Sequence, residues 1–295
     1  MAERTRLGTV GIWSSAWTTA FRTQRASIYE ELGDAAAELE TLGYGALWLG
    51  GSPPLAYARN VLAVTSRIIV ATGILSIWEH EATDVAAERA VLERDHPGRF
   101  LLGLGVSHPH LTARYAHPHT AMQRYLSALD SAPKPVPTEA RVLAALGPKM
   151  LALSRDRAAG AHPYLVTIEH TEYAREILGR QALLAPELKV VVEPDLDVAR
   201  ATARGFLRRY LEMRNYTANL LRFGFTEDDF ADAGSDRLLD AVFALGDVDA
   251  IAGRIGAFHK AGADHVAIQV VTDDTHAALP RTAWRTLAGA LSLNR

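Results

Sequence analysis

Acidic and imidazole side chains follow two long apolar runs of this sequence at the points where strands are predicted to end. Glu79 and His80 come directly after the first run, and Ser107 and His108 come directly after the second. An imidazole titrates near neutral pH, so it can donate or accept a proton during a reaction. We therefore expect Glu79, His80 and His108 to be the candidate catalytic acid–base residues.

Two other kinds of catalysis fit the composition less well. The sequence contains no cysteine, which excludes disulfides, thiolate metal sites and cysteine nucleophiles. A glycosidase needs two carboxylates that face each other. Only Glu79, Glu169 and Glu193 follow predicted strands, and they lie in scattered positions.

A metal site is the remaining alternative. The pairs His108–His110 and His117–His119 have a spacing that is seen in zinc sites, because imidazole is a good zinc ligand. Each pair flanks a proline in the loop after the fourth predicted strand, and no acidic third ligand follows closely. We therefore expect no bound metal and a loop with turn and capping roles. A metal-dependent hydrolase stays an alternative.

The elements that must position these residues alternate along the chain. Eight apolar segments, separated mostly by helical patterns, are predicted to be strands: residues 7–13, 46–49, 68–78, 100–106, 141–146, 164–167, 189–192 and 265–271. Such alternation requires parallel strands with right-handed crossovers. Eight units in 295 residues favour a (β/α)8 TIM barrel over a doubly wound sheet, which would carry a G-x-G-x-x-G turn near its start.

We expect a single barrel domain over residues 1–295. Between Asp197 and Gly262 the pattern predicts helices only, so a helical insertion at about 197–246 should precede the eighth strand. The last helix before that strand is well marked, with Asp247 as its N-cap and Gly262 as its end.

Glycines cluster near the predicted strand ends, where the active site of such a barrel lies. They are Gly11, Gly73, Gly103, Gly105 and Gly147. Gly73 interrupts its apolar run and indicates a bulge or a close approach. Together the glycines predict a mouth with a flat floor, able to take a heterocycle the size of an isoalloxazine. Its apolar walls would be Trp13, Trp48, Ile74 and Trp78.

Charge and hydropathy limit the partners of the protein. The net charge is −3 with histidine neutral, and no stripe of lysine or arginine indicates nucleic-acid binding. The N-terminal residues contain no apolar signal core, and no apolar run reaches the roughly 18 residues that a membrane helix needs. We expect a cytoplasmic protein with a small-molecule substrate.

Four stretches resemble the luciferase-like monooxygenase superfamily in their order and spacing. They are ATGILSIW, FLLGLGVSHP, RVLAALGPKMLALSRDRAAGAHPYLV and GDVDAIAGRIGAFHKAGADHVAIQV. The chain looks most like the branch that uses the deazaflavin coenzyme F420. The resemblance implies a (β/α)8 barrel, a homodimer, and hydride transfer between the deazaflavin and a small organic substrate. An FMN-dependent monooxygenase is the alternative within the same fold.

The resemblance also implies cofactor-binding residues. The third strand of the superfamily carries a non-prolyl cis peptide behind the central ring of the cofactor, here Gly73–Ile74 or else Thr72–Gly73. Ser107 would face the pyrimidine side of the ring. The ribityl or phosphate portion would be held between the fifth helix and the sixth strand. The full implied set is Trp13, Thr72, Gly73, Ile74, Gly105, Ser107, Gly147, Gly160, Ala161, His162 and Thr167.

One position departs from the superfamily. Several deazaflavin-dependent members carry an Asp-His pair after the second strand, where this sequence has Gly50, Gly51 and Ser52. The substrate and the direction of the reaction therefore stay open, and a non-catalytic cofactor-binding homologue is a third alternative.

Overall fold

The computed structural model describes residues 7–22, 26–108, 114–273 and 279–293. Within these ranges the strands are β1 (Val10–Ser14), β2 (Ala46–Leu49), β3 (Ile69–Thr72), β4 (Leu75–Ser76), β5 (Phe100–Gly105), β6 (Arg141–Leu143), β7 (Gly160–Ala161), β8 (Leu183–Leu184), β9 (Glu187–Val192), β10 (Phe243–Gly246) and β11 (Val266–Val270).

The helices cover most of the remaining described residues. They are α1 (Ala16–Arg22), α2 (Ala26–Thr41), α3 (Leu55–Ala63), α4 (Ala82–Asp95), α5 (Pro118–Asp130), α6 (Pro148–Arg157), α7 (Ile168–Leu178), α8 (Leu196–Leu211), α9 (Arg214–Arg222), α10 (Asp236–Val242), α11 (Val248–Lys260) and α12 (Arg281–Ala290). Two 3₁₀ segments, Thr138–Ala140 and Glu227–Ala233, complete the described secondary structure. None of the described helices is long and apolar enough to cross a membrane.

The strands form one curled parallel sheet. Its order is β10-β9-β11-β1-β2-β3-β5-β6-β7-β8, and β4 pairs with β5. The segment 183–192 takes part in two regions of this sheet. Its first half pairs with β7, where the Ala185 amide donates to the Ala161 carbonyl at 2.9 Å, and its second half pairs with β11. The sheet therefore curves back toward its own beginning.

The strands are buried on both faces, as the apolar runs predicted. Every residue of β2, β3 and β5 is buried, which is typical of parallel strands that helices cover. Helix α11 is one of the helices that cover the sheet. Its N-cap Asp247 accepts a hydrogen bond from the Ala250 amide at 2.9 Å, and Ile251, Ile255 and Phe258 face the core. The predicted cap and apolar face of this helix are confirmed.

The strand predicted over residues 68–78 is divided in two. A cis peptide bond joins Gly73 to Ile74, between β3 and β4. Thr72, at the end of β3, fixes the division: its hydroxyl donates to the Gly103 carbonyl at 2.7 Å and accepts from the Gly103 amide at 2.8 Å. The bulge predicted at Gly73 is confirmed, and so is the cis bond at Gly73–Ile74, the first of the two positions considered.

The prediction of the sixth strand is wrong. Residues 164–167 do not form a strand; β7 is instead Gly160–Ala161, which had been expected to precede it. The apolar letters of YLVT suggest a strand, but Leu165 has a left-handed φ of 55° and Pro163 lacks an amide hydrogen for a ladder. Thr167 begins α7, where its side chain accepts from the His170 amide.

The region between Asp197 and Gly262 is not entirely helical. Strand β10 lies inside it and pairs with the second half of β9. The expectation of helices only is therefore wrong. Helix α10 runs directly into this strand with no turn residue between them, so the sequence carries no boundary signal. The short helix α1 was likewise not predicted.

Candidate active site

A cavity of about 740 Å³ lies at the carboxyl ends of the strands. This volume is within the usual range for sites that bind small molecules and cofactors. Its lining residues come from the ends of β1 to β7 and from helices α8 and α9: Trp13, Ser15, Gly51, Ser52, Gly73, Ile74, Ser76, Glu79, Gly105, Val106, Ser107, His108, Tyr115, Ala144, Ala145, Leu146, Met150, His162, Tyr164, Arg209, Tyr210, Met213, Asn215 and Tyr216.

The floor of the cavity is built around the cis bond. The indole N–H of Trp13, at the end of β1, donates to the Gly73 carbonyl at 2.8 Å. Ile74 is partly exposed to the cavity and lies against Gly105 of β5. Tyr164 closes the third side, with its ring centre 5.3 Å from that of Trp13. The floor is therefore flat, apolar and rigidly tied to three strands.

The sequence predicts that the glycines near the strand ends leave empty space, and this prediction is wrong. A Cβ on Gly73 would meet Nε1 of Trp13 at 2.6 Å, and a Cβ on Gly105 would meet the δ carbon of Ile74 at 2.5 Å. Gly103 faces the Thr72 carbonyl oxygen, and Gly11 faces the Ala46 carbonyl oxygen. The missing side chains thus make room for neighbouring protein atoms. At Gly147 the nearest described atom is the Arg222 Nη1 atom, 4.0 Å away.

Of the residues predicted for this site, a majority meet at one cavity. The lining includes Trp13, Gly73, Ile74, Glu79, Gly105, Ser107, His108 and His162. Thr72, His80, Gly147, Gly160, Ala161 and Thr167 are outside the lining. Trp48 and Trp78, which were expected to be walls, are also outside it, because Trp48 is fully buried below the floor and Trp78 packs beside the cavity.

The candidate acid–base residues surround the mouth. His108 Nδ1 is 2.8 Å from Oδ1 of Asn215, so α9 holds the imidazole of a residue that follows β5. His80 Nε2 lies 3.4 Å from the Ser52 hydroxyl, which itself accepts from the Ser76 amide at 3.0 Å. Glu79 is exposed at the rim. His108 is the candidate imidazole that lines the cavity directly.

His162 belongs to a buried aromatic layer below the floor. Its ring stacks on Trp48 at 4.2 Å, and Nδ1 donates to the Ala185 carbonyl at 2.7 Å. Burial lowers the pKa of His162 to about 4, so the ring is neutral and Nε2 carries a lone pair. Within the described part of the chain Nε2 has no hydrogen-bond partner. His265, under Trp48, is also neutral because burial lowers its pKa to about 4.

A buried ion pair supports Tyr164 from inside the sheet. Lys189 and Glu187 are fully buried, and their Nζ and Oε2 atoms are 2.6 Å apart. The Lys189 ammonium lies 3.7 Å from the centre of the Tyr164 ring. Burial lowers the pKa of Lys189 to about 8 and raises the pKa of Glu187, because each charged form is removed from water.

The sequence did not predict the wall made by α8 and α9. Arg209, Tyr210, Met213, Asn215 and Tyr216 come from the span between β9 and β10 and face the strand ends across the cavity. Their aromatic and amide side chains are the signal that the sequence offers, and Arg214 to Ser235 is the least characteristic part of the resemblance. These residues contact strand ends that are about 50 residues or more away in the sequence.

No cluster of three or more histidine, aspartate or glutamate side chains that could hold a metal occurs among the described residues. His117 and His119 lie at the start of α5, away from the cavity lining. His110 lies outside the described residues, so the hypothesis of a pair with His108 stays untested.

The chain resembles known proteins in sequence over part of its length and in fold over almost all of it. The family model described as luciferase-like monooxygenase matches residues 10–126. No curated protein matches the sequence. The resemblance to luciferase-like monooxygenases that the sequence indicates is confirmed over these residues by the family model.

Solved structures match over almost the whole chain. The coenzyme F420-dependent tetrahydromethanopterin reductase from Methanopyrus kandleri has a TM-score of 0.72 at 15% identity, covering 97% of this chain and 98% of the other. An F420-dependent secondary alcohol dehydrogenase in complex with an F420–acetone adduct has a TM-score of 0.71 at 13% identity, covering 98% and 99%.

The oxygenating constituent of 3,6-diketocamphane monooxygenase from Pseudomonas putida, in complex with FMN, is also similar. Its TM-score is 0.67 at 13% identity, and the match covers 95% of this chain and 96% of the other. At such identities the likeness establishes an α/β fold with the curled parallel sheet of luciferase-like barrels. Both F420-dependent and FMN-dependent proteins share this fold.

Proposed function

We propose that this protein is an F420-dependent oxidoreductase that transfers a hydride between the deazaflavin and a small organic substrate. The observation that carries the proposal is the floor of the cavity, where Gly73 and Ile74 present a flat backbone surface beside Trp13 and Gly105. A tricyclic ring needs such a surface, and the cavity volume of about 740 Å³ accommodates a ring and a small second molecule.

The residues of the strand ends would hold the ring. Ile74 and Gly105 would contact one face, and Ser107, whose φ of 56° turns its backbone at the end of β5, would face the edge of the ring. The hydrogen bond from Trp13 holds the Gly73 carbonyl in place beneath the ring. A bound deazaflavin supplies the hydride chemistry, and the chain supplies orientation and exclusion of water.

We infer that His108 moves the proton that accompanies the hydride. It lines the cavity, and Asn215 orients its ring through Nδ1. The pair formed by Ser52 and His80 is a second route for a proton, because the Ser52 hydroxyl also lines the cavity. These groups would compensate for the Asp-His pair that the sequence lacks after β2.

The finer fold follows from the same reasoning. We infer that the curled sheet is a single barrel domain, closed by segment 183–192. The elements α8, α9, α10 and β10 are inserted before β11. The homodimer, the cytoplasmic location and the small-molecule substrate stay predictions. Light scattering of the purified protein tests the dimer.

An FMN-dependent monooxygenase is the second candidate, and the structural similarity to an FMN complex favours it. Equilibrium titration of the purified protein with F420 and with FMN separates the two. We expect saturable F420 binding and transfer of a hydride from reduced F420. FMN binding without F420 binding would reject the F420 assignment. Binding of F420 without turnover over a broad panel of aldehydes, ketones and alcohols would instead favour the non-catalytic alternative.

A further inference from the structure

The cavity has two walls of different chemistry. The wall of strand ends, with Gly73, Ile74 and Gly105, is apolar and mostly backbone. The opposite wall, from α8 and α9, carries Arg209 and Tyr210 together with Tyr216 and Asn215. If the cofactor ring lies on the strand ends, as proposed above, the helical wall faces the second reactant. The inference below rests on that proposed function.

A directed chain of hydrogen bonds runs from the helical wall to Tyr164 and Gln269 on the side of the strands. An arginine can only donate, and Nη2 of Arg209 donates to the Tyr210 hydroxyl at 3.0 Å. The Tyr210 and Tyr164 hydroxyls are 2.8 Å apart, and Tyr164 donates to Oε1 of Gln269 at 2.9 Å. Because the chain begins with a donor and ends with an acceptor, both tyrosine protons are committed. The Tyr210 hydroxyl therefore stays an acceptor and holds one N–H of Arg209.

Arg209 is held in place at the end of this chain. Its guanidinium lies 4.8 Å from the ring centres of Phe206 and of Tyr210. It is an exposed residue, and no carboxylate of the described residues forms an ion pair with it. Among the described residues that line the cavity it is the one lysine or arginine. One N–H is bonded to Tyr210, and the remaining donors are available to a ligand.

We propose that Arg209 binds a carboxylate of the organic substrate, so that the protein acts on small organic acids. A carboxylate accepts hydrogen bonds only, and the guanidinium N–H groups that are not bonded to Tyr210 supply them with charge assistance. The guanidinium is stacked on two rings, so little side-chain freedom is lost when the acid binds. A neutral amide of the same shape also accepts from the guanidinium, but it lacks the charge and therefore gains less from Arg209.

The test compares acids with their amides on the apo protein. Isothermal titration measures benzoate against benzamide, and cyclohexanecarboxylate against its carboxamide. The wild type should bind each acid about tenfold more tightly than its amide, the preference expected of a charge-assisted hydrogen bond at a partly exposed site. The preference should disappear in Arg209→Gln and shrink in 0.5 M salt, because salt screens exposed charges.

The control is Arg208→Gln, which removes the same charge from the neighbouring, exposed position of α8 that does not line the cavity. This variant should keep the preference. Equal binding of acid and amide by the wild type, no binding of either, or equal loss in both variants would each overturn the proposal. F420 titration of the same proteins is the second readout. If Arg209→Gln weakens F420 binding as much as acid binding, the guanidinium serves the cofactor and the proposal is overturned.

The two proposals fail separately. Absence of F420 and FMN binding in the wild type, with the acid preference intact and dependent on Arg209, would reject the cofactor assignment alone. Binding of F420 with no acid preference would reject the organic-acid assignment alone.

Discussion

The indole N–H of Trp13 donates a 2.8 Å hydrogen bond to the carbonyl oxygen of Gly73, 60 residues further along the chain. This bond ties the end of β1 to the point where β3 gives way to β4. It lies directly beneath the cavity, and both residues line it. The floor of the site is therefore fixed by a side chain as well as by the sheet.

Replacing Trp13 by phenylalanine should lower the free energy of unfolding. The change removes the donor and leaves the buried Gly73 carbonyl unpaired, which costs about 1 kcal/mol or more beyond the lost packing. Trp17→Phe is the matched control, because Trp17 is fully buried and its Nε1 has no partner among the described residues. Urea unfolding measures both, and the Trp13 variant should also bind F420 more weakly. An equal stability loss, with unchanged F420 binding, would contradict this role.

Two glycines of β5 should respond differently to alanine. A Cβ on Gly103 would lie against the backbone oxygen of Thr72, which cannot move away, so Gly103→Ala should cost about 3 kcal/mol of stability. A Cβ on Gly105 would meet the flexible end of Ile74, 2.5 Å away, and would lie 3.3 Å from the Cβ of Ala144. Gly105→Ala should therefore fold almost normally but push Ile74 into the space proposed for the ring.

The measurement for the Gly105 variant is cofactor affinity. We expect its Kd for F420 to rise about tenfold, equivalent to about 1.4 kcal/mol. Thermal and urea unfolding of both glycine variants provide the control for folding. Normal F420 affinity in Gly105→Ala would show that Ile74 does not contact the ring.

His108→Asn tests the proton-transfer role. Loss of a general acid or base typically lowers kcat by about 10²-fold or more, without a change in cofactor binding. His119→Asn, a change outside the cavity lining, is the control and should retain activity. Should the two variants have the same kcat, the proton would have to pass through another group, and Ser52 with His80 would be next to test.

Stability should fall as the pH is lowered through the range in which buried histidines resist protonation. Burial lowers the pKa of His162, His170 and His265 from 6.5 to about 4. Between pH 6.5 and 4 the unfolded chain therefore binds protons that the folded protein does not. Lowering the pH from 6.5 to 4 can therefore reduce the free energy of unfolding by up to about 3 kcal/mol for each histidine. Above pH 6.5 none of this stability is lost.

The pH dependence can be assigned to one residue. In His265→Gln the unfolding free energy should change less steeply between pH 6.5 and 4 than in the wild type, whatever its value at pH 7. Parallel slopes for wild type and His265→Gln would show that this imidazole does not resist protonation in the fold.

The sequence predicted the features that depend on local patterns. Continuous apolar runs identified most strands, because a strand covered on both faces must be apolar throughout. The residues directly after those runs, such as Ser107 and His108, indeed line the cavity, since parallel strands end at one edge. The position of the cis bond came from the resemblance to a family and not from the pattern itself.

Features that depend on distant contacts were not predicted. The apolar letters after Pro163 suggested a strand, and the left-handed backbone of Leu165 is what prevents one. The glycines suggested empty space because the sequence does not reveal that Trp13 and Ile74 fill it. Likewise, nothing near Arg209 in the sequence indicates that Tyr164 and Gln269 complete its hydrogen-bond chain.

A crystal structure of the protein with F420 shows directly whether the deazaflavin ring binds on the cavity floor. We predict that the deazaflavin ring lies on Ile74 and Gly105, above the Gly73–Ile74 peptide, with Ser107 at its edge and the helical wall of Arg209 and Tyr210 across from it. A ring bound elsewhere, out of contact with Ile74 and Gly105, would show that the strand ends do not hold the cofactor.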